Sequence, residues 1–359
     1  MMISYRQLKN HQASQSLAQS NINFKALQNL EPEPIPVDSS LDRILRIVVT
    51  TECNRSCFYC HREGMTPTTK NILTTTDIIF FVKTVAELFD GVSIVGGEPL
   101  LQRDLLQIAE VAVLSMGCPV HLTTNASISM SNIISNANLF NRINISLNVL
   151  GPNRYQRLCG TPLPSIVYEN TSRLVQLPYD IHVNAVAIPG YNTNEEEILA
   201  LSSFCDRHGF RMEFLHLMPR SQNEVRLLTA GLGQFRSVMK KLGFTASIRH
   251  RPYSHLNTLY RYKEREIVLR DYGQVIDPQR CSNCIAQTFC TEGLSHIRLL
   301  PDGFIIACRY GRRFRINLFA HIRRRRVKAI LAGVKNLQRS FREPLFWYQL
   351  PGDGKSEDV

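Results

Sequence analysis

Cys53-x3-Cys57-x2-Cys60 is the grouping in this 359-residue chain whose residue types and spacing point most directly to chemistry. Three thiolates within eight residues can take three corners of an iron–sulfur cube, because a short loop wraps the cluster while its backbone amides point at the sulfurs. The fourth iron is then open to a substrate or cofactor. Spacing alone leaves other readings. Zinc wants a closed tetrahedral set, and His61, the nearest fourth ligand, adjoins Cys60 in a poor geometry for sharing one metal. Cys57-Phe58-Tyr59-Cys60-His61 also matches the C-x-x-C-H haem-attachment pattern, a chemistry of exported proteins. Buried structural cysteines are the third alternative.

Two further groups could do chemistry. Gly96-Gly97-Glu98-Pro99 follows a β-branched run, where glycines let the backbone approach a ligand and exposed carbonyls with a carboxylate suit an ammonium group. Cys281-x2-Cys284, Cys290 and Cys308 form a second cysteine group, the last one following Leu300-Pro301-Asp302-Gly303. Three ligands there would leave a substrate-binding iron, four would close the cage, and zinc held by the same four is the structural alternative.

The elements that must position these residues follow from periodicity. Candidate strands at 44–50, 91–95, 119–124, 142–148, 181–188 and 212–217 alternate with candidate helices near 75–89, 103–115, 128–138, 164–176 and 194–208. Such alternation argues for right-handed βαβ units and a parallel sheet, an α/β fold whose ligands collect at the strand C-terminal ends. Residues 1–42 read as a polar arm and Pro-stiffened linker, 43–225 as the core, 226–345 as a smaller cysteine-containing module with a basic tail, and 346–359 as a C-terminal tail.

The net charge of +12 is local. Residues 309–342 hold twelve Lys/Arg and no Asp or Glu, which leaves 30 basic against 30 acidic residues elsewhere. A composition of 44% hydrophobic and 20% charged residues excludes collagen-like and disordered classes. No apolar run reaches membrane-spanning length and the N-terminus does not read as a secretory signal, so the expected location is the cytoplasm. Cysteines in that reducing compartment are expected to be metal ligands or reactive thiols. Arg309, Arg312, Arg313 and Arg315 could pair with an anionic substrate, whereas Arg323 to Arg326 spread around a helix and read as a solvated or partner-facing surface. Sparse aromatics disfavour nucleic acid as a partner.

The two motifs together, each at the end of a strand, resemble the radical S-adenosylmethionine (SAM) superfamily, and within it the MoaA-type GTP 3′,8-cyclases, which start molybdenum-cofactor synthesis. The resemblance runs over about residues 44–310 and is carried by Leu45-Arg46-Ile47, Cys57 to Gly64, Gly96 to Leu101, Thr123-Thr124-Asn125, Ile145-Ser146-Leu147, Val183-Asn184-Ala185-Val186 and Leu217-Met218-Pro219. It implies a partial (β/α)6 TIM-like barrel holding a [4Fe–4S] cluster on Cys53, Cys57 and Cys60. The cluster's open iron binds SAM, and reductive cleavage gives a 5′-deoxyadenosyl radical that abstracts a substrate hydrogen. Tyr59 and Gly97 would contact SAM through backbone groups, Gly96, Glu98 and Thr124 would share that pocket, Ser146 would bind its polar end, and Met218 would lie against the adenine. Arg46 and Thr123 would face the substrate. A low-potential electron donor is implied as a partner.

The same resemblance implies a second [4Fe–4S] cluster on Cys281, Cys284 and Cys308, with Cys290 as an additional ligand. The substrate side departs from the family: Ser93 stands where an arginine precedes the Gly-Gly-Glu-Pro, and His182 replaces a lysine at the start of the fifth strand. His296 and Arg298 fall where two arginines are expected. Each lost charge-assisted bond to a triphosphate could cost on the order of 1.5–3 kcal/mol. GTP is thereby weakened as the substrate, and the expected activity is that of a MoaA-like GTP 3′,8-cyclase or a relative acting on a nucleotide-type anionic substrate. A SPASM-like peptide maturase, suggested by Cys281-x2-Cys284-x5-Cys290, and a zinc-stabilised nucleic-acid-binding protein are the alternatives.

Overall fold

The computed structural model describes residues 44–65, 71–118, 120–175, 177, 179–250, 256–270, 284, 296–310 and 314–342. The polar arm, Cys281, Cys290, Arg312, Arg313 and the C-terminal tail lie outside these residues.

Six parallel strands, β1 (Ile44–Val48), β2 (Gly91–Val95), β3 (Val120–Thr124), β4 (Phe140–Ser146), β5 (Asp180–Val186) and β6 (Arg211–Leu215), lie side by side in chain order, as the alternating pattern predicts. β2 is buried at all five positions, the behaviour of a strand covered on both faces. Three antiparallel strands follow, β7 (Thr245–His250), β8 (Leu256–Tyr262) and β9 (Arg265–Arg270), then β10 (His296–Leu299), β11 (Phe304–Ile306) and β12 (Arg315–Asn317). β9 joins β6 in parallel and β10 joins β1 in parallel, so the barrel sheet is wider than its six core strands. The order β12-β11-β10-β1-β2-β3-β4-β5-β6-β9-β8-β7 leaves it open, with hairpins at both edges.

Outside the sheet lie α1 (Thr75–Val85), α2 (Leu105–Met116), α3 (Ser131–Ser135), α4 (Pro152–Cys159), α5 (Ile166–Leu174), α6 (Glu195–His208), α7 (Gln222–Lys241), α8 (Phe319–Arg323) and α9 (Val327–Arg342). α1 opens with a capping box in which the Thr74 side chain and Asp77 satisfy each other's backbone amides. The helix expected at 128–138 is reduced to α3 and a 3-10 turn, because Asn136 bonds back to the Asn132 carbonyl and leaves helical geometry. α4 was not expected, although Pro152 at its first turn and left-handed Gly160 at its end are ordinary start and stop signals. Residue 225, where the sequence pattern weakens, falls in the first turn of α7.

Candidate functional site

The loop after β1 is held from several sides. Gly97 N–H donates to the Thr50 carbonyl at 2.8 Å and Glu98 N–H to the Glu52 carbonyl at 2.7 Å, which ties the loops after β1 and β2 together. A Cβ on Gly97 would overlap the Glu52 carbonyl, so only glycine permits this approach. Asn54 bonds Ser127 and Asn125 beyond β3. The amides flanking Cys57 are taken by the end of α4: Ser56 N–H donates to Cys159 O at 3.0 Å and Phe58 N–H to Leu158 O at 3.3 Å. Arg220, just before α7, donates to the Phe58 and Cys60 carbonyls at 2.8 and 3.1 Å while paired with Glu224.

Cys53, Cys57 and Cys60 line one cavity of about 340 Å³, within the usual range of ligand pockets. Their thiols are inequivalent. A hydrogen bond with Cys159, aided by Tyr59 and opposed by burial, brings Cys57 down to about 7. Burial pushes Cys53 and Cys60 up. Cys159 is buried beside Cys57 and nothing in the sequence singled it out. The Tyr59 hydroxyl meets the Asn148 amide, which in turn accepts from Val186 N–H at 2.7 Å. Among the described residues no three His, Cys, Asp or Glu side chains are grouped to hold a single metal ion.

Gly96, Gly97, Glu98, Thr123, Thr124, Ser146 and Met218 line the same cavity, as do Arg46, His296 and Arg298. The Glu98 carboxylate is already occupied: Thr124 Oγ1 donates at 2.6 Å, Asn125 N–H at 2.8 Å and Leu100 N–H at 3.1 Å. Thr124 also accepts from Ala126 N–H, so both side chains brace loops. His182 is not among the lining residues. It is buried with Nδ1 2.7 Å from Glu213 and Nε2 2.9 Å from Asp180, where the sequence reading has it facing substrate. Cys284 and Cys308 are half-buried and do not line this cavity either.

The clearest feature that sequence reasoning missed is Glu63. Arg62, Glu63 and Gly64 all have positive φ (50°, 51° and 82°), a conformation costly for the first two. That turn buries the Glu63 carboxylate 3.2 Å from Arg298 Nε and 3.8 Å from Arg46 Nε. Burial opposes its ionisation, yet Arg46, His61, Arg309 and Arg298 together hold it well below the ordinary carboxylate range. Arg309 stands against His61, 2.6 Å from its Nε2, and also lines the cavity. At the far edge Arg270, supplied by β9, pairs with Glu213, and the alternation in 265–270 was the signal for that strand.

The residues fit a SAM-bearing cluster. Three thiols share a cavity with the close-approach glycine, and Asn144 Oδ1, Asn184 Oδ1 and Arg270 Nε are buried there without a protein partner. Two acceptors and a guanidinium donor suit a zwitterionic, hydroxyl-bearing ligand.

An open parallel sheet with a three-cysteine loop after its first strand defines a recognised class. The Radical SAM superfamily profile matches residues 47–202, which marks the chain as an enzyme carrying a radical SAM domain. Among curated proteins it is similar to the probable GTP 3′,8-cyclase of Thermococcus kodakarensis, at 28% identity over 73% of this chain and 86% of that one. It is also similar to the GTP 3′,8-cyclase of Aliarcobacter butzleri, at 27% identity over 74% of this chain and 80% of that one. A solved structure of Streptococcus suis SuiB bound to S-adenosylmethionine shares the fold, with a TM-score of 0.51 and 17% identity over 78% of this chain. The chain spans 62% of that protein's length. Among the described residues no helix is long and apolar enough to cross a membrane.

Proposed function

We propose that this radical SAM enzyme acts on a nucleotide-type anionic substrate, as a GTP 3′,8-cyclase or a relative of one. The observation that carries the reading is the set of guanidiniums at one side of the cavity: Arg46 and Arg298, in register on β1 and β10, with Arg309 beside them. Around the single Glu63 carboxylate they leave a net positive wall suited to phosphate or carboxylate oxygens. The names of the curated relatives point to GTP.

Cys53, Cys57 and Cys60 would hold the cluster. When bound there, cluster and SAM supply an electron and a 5′-deoxyadenosyl radical for hydrogen abstraction. The chain's own residues do the rest. Gly97 lets the ligand approach the backbone, Ser146, Asn144 and Asn184 offer polar contacts, and Glu63 holds Arg46 and Arg298 toward the substrate.

A second cluster on Cys281, Cys284 and Cys308, with Cys290, belongs to the same reading. Its support is the resemblance, together with the place of Cys308 next to the cavity-lining Arg309. Anaerobically reconstituted protein should then carry about eight irons per chain, and a Cys284→Ala variant about four.

The function is tested by incubation with SAM, a low-potential reductant and GTP. The expected result is GTP consumption with a new cyclised product, abolished in Cys57→Ala. SAM cleavage that GTP neither alters nor couples to a product would overturn GTP as the substrate.

A further inference from the structure

The run Arg323 to Arg326 divides by contact. Arg323 and Arg325 lie 2.8 and 3.2 Å from the buried Asp77 carboxylate in the first turn of α1, and Arg325 also covers the Phe80 ring. α1 follows the cysteine loop, so its first turn lies at the barrel end that carries the site. Gln338 bonds the Leu88 carbonyl beyond the other end of α1, so α9 runs alongside α1 with its N-terminus at the site end.

Arg324 and Arg326 are exposed, as are Lys328, Lys335 and Arg339, and among the described residues none of these five has an ion-pair partner. At 100° per residue Lys328, Lys335 and Arg339 fall within about 20° of one line that extends for about 16 Å. The opposite face buries Ile330, Val334 and Leu337. Cations around a helix N-terminus oppose its dipole, so this concentration of charge costs stability. Val327, 44% exposed, sets an apolar point among the cations.

Before it can cleave SAM, the cluster of a radical SAM enzyme must receive an electron from outside the chain. We propose that the exposed face of Arg324, Arg326, Val327, Lys328, Lys335 and Arg339 docks an acidic one-electron carrier protein that reduces the cluster. The proposal rests on the radical SAM reading. Uncompensated positive charge steers an acidic partner and raises its on-rate. The exposed residues of this face include no aromatic side chain for stacking bases, which favours a protein over a single-stranded nucleic acid.

The test compares reconstituted wild type with a Lys328→Glu/Lys335→Glu/Arg339→Glu variant. Initial 5′-deoxyadenosine formation from SAM is measured with either dithionite or photoreduced flavodoxin, an acidic carrier, and iron is counted in both proteins. Expected are equal iron and dithionite-driven rates within about twofold, with the flavodoxin-driven rate at least tenfold lower in the variant. The wild-type flavodoxin rate should fall steeply with salt and the variant's should not. An unchanged flavodoxin rate in the variant, or equal losses with both reductants, overturns the docking surface. So does duplex DNA or RNA binding that is lost in the variant while its flavodoxin rate is kept. Wild type that carries iron yet cleaves no SAM with either reductant overturns the radical SAM reading itself.

Discussion

Arg46 and Arg298 stand opposite one another in the β1–β10 register and share the buried carboxylate of Glu63. Two cations that would repel across adjacent strands are thereby fixed as one anion-binding unit. Replacing Glu63 by Gln should cost about 3 kcal/mol, because it leaves the buried Arg298 and the half-buried Arg46 without their counter-charge. Urea melts of the two proteins check the value.

The same carboxylate sets a pH dependence. Glu63 titrates well below its ordinary value in the folded chain, so its stabilisation is present in full above the unfolded carboxylate's titration near about pH 4.3. It is lost as pH falls through the lower, folded value. Wild type should therefore lose stability between pH 5 and 2 more steeply than Glu63→Gln, as measured by thermal melts across that range.

Cys57, brought down to about 7, should be the first of the three loop thiols to be alkylated in cluster-free protein at neutral pH. Removing its main hydrogen-bond partner with Cys159→Ala raises Cys57 and should slow its alkylation several-fold. A mass-spectrometric time course with iodoacetamide resolves each site.

Gly160 ends α4 at φ 74°, and a Cβ there would overlap Ser56 Oγ beside Cys57. Gly160→Ala should cost about 1–2 kcal/mol from the left-handed backbone alone. It should also loosen the loop, so that iron content after reconstitution falls relative to wild type. Unchanged iron would mean that Ser56 Oγ turns clear of the added methyl and the loop keeps its place.

Asp77 caps α1 and receives Arg323 and Arg325. Asp77→Ala should destabilise by about 1–2 kcal/mol, mainly through the lost cap. The two arginines are 49% and 39% exposed, so solvent screens their share. Added salt should therefore change the difference between the two proteins only slightly.

Much of the barrel could be read in advance because periodicity is a local signal: β-branched runs alternating with helical spacing specify β1 to β6. α3 fell short because Asn136 competes for the helix backbone, a contest that hydrophobic spacing does not register. β9, and the place of β10 beside β1, were harder still. Each is short, and its parallel partner is distant in sequence, so only the assembled sheet shows that β9 brings Arg270 and β10 brings Arg298 to the cavity.

The sequence by itself determined the chemistry, since thiol spacing and a Gly-Gly-Glu-Pro turn are properties of a few contiguous residues and survive without coordinates. Tertiary structure decided what surrounds that chemistry. It set Cys159 beside Cys57, turned Glu63 inward onto two arginines, occupied the Glu98 carboxylate with loop amides and drew His182 away between Asp180 and Glu213. Charge compensation and hydrogen-bond satisfaction are settled among groups far apart in the chain, and no local pattern encodes which pairs will meet.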